Sequence, residues 1–143
     1  MDRSFSWTSP LGTSVALFLV YGVVHALSGG IYLLVAETDI GRQAIFAAPG
    51  PDQVLFGALP ADLLRDDRAL AQLHSMAYLV IAGLLVGLGI VELSLTWFGL
   101  HRGQGWALAA LVVAGLVMLP FWVLVFRPYL AAGAPLELFS IPP

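Results

Sequence analysis

The chain reads as an all-α integral membrane protein with three transmembrane helices and a long interfacial loop between helices 1 and 2. Three observations predict this class. Hydrophobic residues fill 59% of the 143 positions and charged residues only 10%, too little polar surface for a water-soluble domain of this size. Mean hydropathy is +0.91. Finally, residues 11–36, 69–99 and 105–126 are nearly free of charge, and at 1.5 Å per residue each can cross a hydrocarbon core about 30 Å thick.

The first span, 11–36, follows Pro10, a residue tolerated in a first helical turn, and Trp7, placed as an interfacial anchor. Arg3 followed by an apolar run resembles a signal peptide, with Val24-His25-Ala26 near a cleavage pattern. The apolar run continues to Ala36, however, so a retained helix is expected. The interfacial loop, 37–68, mixes acids and arginines with the apolar pairs Ile45-Phe46, Leu55-Phe56 and Leu63-Leu64. It is too long for a passive connection, and short helices delimited at Pro49-Gly50-Pro51 and Pro60, lying on the bilayer or on a partner, fit it best.

The second span, 69–99, is longer than a bilayer needs, and Asp66 or Asp67 can cap its start. A glycine-rich polar turn leads to the third span, 105–126, which contains Pro120 and is expected to end at Arg127-Pro128. The tail, 127–143, is apolar but interrupted by Pro135 and Glu137, and too short to span. The whole chain forms a single membrane domain.

Counting 100° per residue gathers Ser14, Tyr21, His25, Ser28 and Tyr32 on one stripe of helix 1, and His74, Tyr78, Gly89, Glu92 and Thr96 on one stripe of helix 2. Taking Ala36 and Ala69 as a common boundary, residues at equal depth on these antiparallel helices should have numbers summing to about 105. Ser14 is then level with Glu92, Tyr32 with His74, and Ser28 with Tyr78. A polar seam between the helices is expected, since an acid left alone in hydrocarbon is costly. Gly83 and Gly87, a GxxxG pair, fall on the opposite face of helix 2 and are assigned to helix packing, against Ala107, Ala110, Ala114 and Gly115 of helix 3 or against another subunit.

Chemistry is sparse. The chain contains no cysteine, which excludes disulfides and thiolate chemistry. Its six basic residues are all arginine, against nine acids, which speaks against nucleic acid as a partner. Hydrolase, phosphate-loop and metalloprotease motifs are absent from the sequence. Asp62, Asp66 and Asp67 are interleaved with Arg65 and Arg68 and read as a solvated helix start.

His25 is the one candidate cofactor ligand. Gly22, Ala26, Gly29 and Gly30 beside it could leave room for a haem or chlorophyll-type macrocycle. A hydrogen-bonded structural histidine, with no cofactor at all, is the simpler expectation. Glu92 is expected to be a neutral, hydrogen-bonded acid, with proton transfer as the alternative.

These features order three function classes. A non-enzymatic subunit or scaffold of a membrane assembly comes first, with the lipid bilayer and other membrane subunits, or a second copy, as partners. A cofactor-binding electron- or energy-transfer subunit using His25 follows, and a small proton-coupled transporter or channel using Glu92 is third.

Arg3 and Arg102 share one side, in very short segments, while four arginines and seven acids share the other. Short segments weigh most in the positive-inside rule, so a cytoplasmic N-terminus in a multi-pass cell-membrane topology is expected. In this cysteine-free chain, a single cysteine replacing Gln104 should resist an impermeant maleimide in intact cells, and one replacing Asp62 should be labelled. The reverse pattern would invert the topology.

Overall fold

The structure, a computed structural model, describes residues 5–137. Arg3 and the end of the apolar tail lie outside them. The fold is all-helical, and three of its helices are long and apolar enough to cross a membrane. In order the α-helices are α1 (Pro10–Val35), α2 (Pro49–Phe56), α3 (Pro60–Asp66), α4 (Arg68–Ser94) and α5 (Gly105–Ala131), the long ones being α1, α4 and α5. The α4 rod continues through a π turn, Leu95–Gly99, and a 3-10 turn, Leu100–Arg102.

Each start has a local cause. Ser9 Oγ accepts from the Gly12 amide (3.1 Å) with Pro10 in the first turn of α1, satisfying a donor the helix leaves unpaired. Asp67, rather than Asp66, caps α4 by accepting from the amides of Ala69 (2.9 Å) and Leu70 (3.0 Å). In α2 and α3, Pro49 and Pro60 occupy the first turn, so the loop prolines open helices there. Gly57 (φ 74°) ends α2 in the left-handed region that a side chain disfavours.

One helix end differs from expectation. Helix α5 runs through Pro120 and Pro128 to Ala131, five residues past the expected stop. Proline disfavours helix at the preceding residue without forbidding it, and here the extra turn is held from outside, because Tyr129 donates its hydroxyl to Asp52 of α2 (2.7 Å).

The close contact in the molecule is α1 against α4. A Cβ on Gly89 would stand 2.6 Å from the Gly22 carbonyl oxygen, and one on Gly29 would stand 2.7 Å from that of Ala82. The helices therefore meet backbone to backbone along Gly22, Ala26 and Gly29 on one side and Ala82 and Gly89 on the other. Near one end, Ser75 Oγ donates to the Ala36 carbonyl (3.1 Å). The facing pairs Gly22/Gly89, Gly29/Ala82 and Ala36/Ser75 all sum to 111, six more than expected, a displacement of about 9 Å at 1.5 Å per residue. The physical reason is that the first turns of α4, apolar though they are, project beyond the end of α1, so Ala69 is not level with Ala36.

The expected packing of Gly83 and Gly87 against helix 3 is corrected. They are exposed, and a Cβ on either would meet nothing within 4 Å. Helix α5 does not cover them. It joins the rest at its two ends, against the π and 3-10 turns and against α2. At the first end Val15, Leu100, Ala107 and Leu111 form a small buried core. Between the ends α5 stands away, and only 6% of its most apolar window is buried.

The same substitution should therefore act oppositely at different glycines of α4. Gly89→Ala, forced against backbone atoms, is expected to destabilise by about 1–3 kcal/mol. Gly83→Ala and Gly87→Ala should be neutral or stabilising by up to about 1 kcal/mol from helix propensity alone. Thermal unfolding of the three variants in detergent measures the contrast.

Candidate functional site

The α1–α4 register carries a buried pair. His25 Nδ1 and Glu92 Oε2 lie 2.7 Å apart, and each residue is only 6% exposed. Their numbers do not follow the backbone register because side chains on a helix lean towards its N-terminus. On antiparallel helices, His25 leans back towards Gly22 and Glu92 towards Gly89, the two glycines where the backbones touch. The pair forms beside the tightest point of the helix crossing. Tyr21, on the same stripe, sets its ring edge-on against His25 with centroids 4.3 Å apart.

The other expected seam residues divide. Ser14 is not the neighbour of Glu92; its hydroxyl donates to Pro10 O in its own helix (3.0 Å), because the register displaces it from that level. Tyr32 meets Tyr78, not His74, with ring centroids 5.0 Å apart. Ser28 lines a side cavity of about 300 Å³ together with Tyr32 and Tyr78. His74 Nε2 (3.0 Å) and the Tyr78 hydroxyl (3.1 Å) both hydrogen-bond the Ala44 carbonyl, tying the loop to α4. His74 is thereby a loop anchor, and it lies about 18 Å along the helix axis from the level of His25 at 1.5 Å per residue, too far to share one macrocycle.

The room expected beside His25 is not where the small residues suggested. Gly22, Ala26 and Gly29 are used up by packing on α4, and at Gly22 a Cβ would stand 2.9 Å from Leu93. Space opens on another flank, where α5 stands off. A cavity of about 400 Å³ lies there between α1, α4 and α5. Tyr21, His25 and Glu92 supply polar groups, Leu84, Leu85 and Leu88 of α4 face Ala114, Gly115 and Met118 of α5, and Ile45, Phe46, Tyr32, Tyr78 and Trp122 also line it. The walls are overwhelmingly apolar, a type of lining suited to a small lipophilic molecule oriented by a few polar groups.

Sequence reasoning missed the clamp that carries Ile45 and Phe46. Asp52, fully buried, accepts from the amides of Ile45 (2.5 Å), Phe46 (3.1 Å) and Ala47 (3.1 Å) and from the Tyr129 hydroxyl. Successive backbone N–H groups form an anion-binding concavity, and the carboxylate ties the loop to α5. Phe46 packs beside Trp122 and Phe126 of α5, with centroids 6.2 and 6.3 Å apart. An acid in the first turn of α2, downstream of an apolar stretch, was the available signal, since such an acid can reach back to amides before its helix.

Among the acids read as a solvated helix start, Asp62 pairs with Arg65 (3.3 Å) and Asp67 caps α4. Comparison of the chain with protein-family models, with curated proteins and with solved structures finds no significant match.

The pair is expected to behave as a coupled unit. In a double-mutant cycle of His25→Phe and Glu92→Leu, each single change leaves one buried polar group without its partner, so the double variant should lose less stability than the two singles added together. A coupling of about 1 kcal/mol is expected, measured by unfolding in detergent.

Proposed function

We propose that this chain is a membrane-embedded binding subunit for a small lipophilic ligand, held between α1, α4 and α5 against His25 and Glu92. The observation that carries the proposal is the apolar cavity of about 400 Å³ with the buried His25–Glu92 pair in its wall. Membrane insertion is supported by the outer surfaces of the helices, where Leu17, Leu27, Leu34, Val80, Phe121, Val123 and Leu124 all point outward. Continuous apolar surface on this scale finds its solvent in lipid. Within such a setting α2, α3 and the Ile45–Phe46 segment lie at the headgroup level, and the cavity sits between helices at hydrocarbon depth.

The expected scaffold role is compatible with this and has its own support, the unpartnered middle of α5 and the open Gly83–Gly87 face. Transport is less well supported. Glu92 is the only acid in α1, α4 or α5, and its hydrogen bond to His25 gives it a structural partner.

Purification in mild detergent, followed by mass spectrometry of the organic extract, tests the proposal. An apolar molecule should be recovered in near-stoichiometric amount with the natural sequence and lost from Ala114→Trp, whose side chain would fill the cavity from its α5 wall. Equal recovery from both proteins, or none from either, would overturn it.

A further inference from the structure

The buried pair also dictates what the cavity can recognise. His25 and Glu92 together offer three protonation positions: Nδ1, Nε2 and the carboxylate. With two protons the pair is net neutral, either as imidazolium and carboxylate or as imidazole and carboxylic acid, and the 2.7 Å bond holds one of those protons in both forms. In both forms the second proton is on Nε2. With one proton the pair is an anion, and Nε2 presents a lone pair instead, the form a metal would require.

Surroundings choose between these states. No arginine lines the cavity, and both residues are almost wholly buried. An uncompensated negative charge in an apolar setting is strongly disfavoured, whereas a neutral hydrogen-bonded pair is tolerated. In the net-neutral pair the ring carries an N–H at Nε2. That nitrogen has no protein partner among the described residues, yet it does not belong to the fully enclosed unpartnered atoms. It retains accessible surface on a residue that lines the cavity. Tyr21, whose ring packs against His25, lines the same cavity although 49% of it is exposed, and its hydroxyl makes no hydrogen bond among the described residues.

Resting on the ligand-binding proposal above, we infer that the site takes an uncharged lipophilic carbonyl compound, a ketone or quinone, whose oxygen accepts a hydrogen bond from His25 Nε2, with the Tyr21 hydroxyl as a second donor. A carbonyl oxygen has two lone pairs and brings no proton needing an acceptor of its own, which matches the His25 and Tyr21 donors and leaves the second Glu92 oxygen, an acceptor at the same end, unused. The chain's lack of lysine and cysteine leaves no amine or thiol side chain to add to such a carbonyl.

Decylbenzoquinone and decylbenzene, titrated into the full chain in nanodiscs, separate the possibilities. Quinone binding about tenfold tighter than that of decylbenzene is expected, as for one net hydrogen bond. The preference should disappear in the double variant His25→Phe with Glu92→Leu, which keeps a flat ring and an apolar wall. Equal binding of the two probes by the natural sequence would leave the cavity proposal standing and overturn the carbonyl inference, while no binding of either would overturn both. Tighter binding of decylhydroquinone than of the quinone would place recognition on the remaining Glu92 oxygen and also overturn the inference. Heteronuclear NMR of histidine-labelled protein of natural sequence gives an independent measure that needs no variant. A protonated His25 Nε2 at neutral pH is expected, and an unprotonated one would overturn the inference.

Discussion

Everything at the site depends on the backbone contact between α1 and α4 at Gly22 and Gly89. With no side chain between them, the two helices approach until a carbonyl oxygen occupies the place a Cβ would take. That contact, with the like approach of Gly29 to Ala82, sets the axial register, because apolar side chains slide past one another at small cost whereas backbone atoms do not. His25 and Glu92 then meet as a consequence of helix geometry, each leaning towards its own N-terminus across the touching glycines. The buried hydrogen bond reports the register and does not create it.

The second constraint is the way α5 is attached. One end is packed into the small core of Val15, Leu100, Ala107 and Leu111. The other is held by the phenol-to-carboxylate hydrogen bond of Tyr129, whose acceptor also gathers three amides of the preceding loop, and by Phe46 against Trp122 and Phe126. A helix fixed at both ends and unpartnered between them leaves a gap, and the gap is the cavity. Asp52 therefore shapes the site without lining it, since it holds Ile45 and Phe46 in their place beside Trp122.

The glycines show that motif spacing does not choose the close contacts within this chain. Gly83 and Gly87 have the familiar spacing of four and meet nothing, while Gly22, Gly29 and Gly89, which follow no shared short motif, make the close approaches. A small residue permits contact but does not choose a partner. The choice falls to whichever face of the helix is already committed by its neighbours, and here α4 is committed to α1 by the loop anchors at Ala44 and Ala36 as well as by the glycines.

The sequence by itself determined the helical class, the three long apolar helices, the proline-led short helices of the loop and the stripe that includes His25 and Tyr21. These follow from properties that act within one segment: hydropathy, period 3.6, and capping by Ser9, Asp67 and the prolines. The register was not legible, because an apolar helix does not mark where its neighbour ends, and a six-residue displacement together with the lean of both side chains exchanged Ser14 for His25 as the partner of Glu92. Nor was the cavity or the Asp52 clamp, since both join residues as far apart as Asp52 and Tyr129 and exist only once α5 has been placed. Tertiary structure decided these because they depend on which backbones can touch, a relation between segments that no single segment encodes.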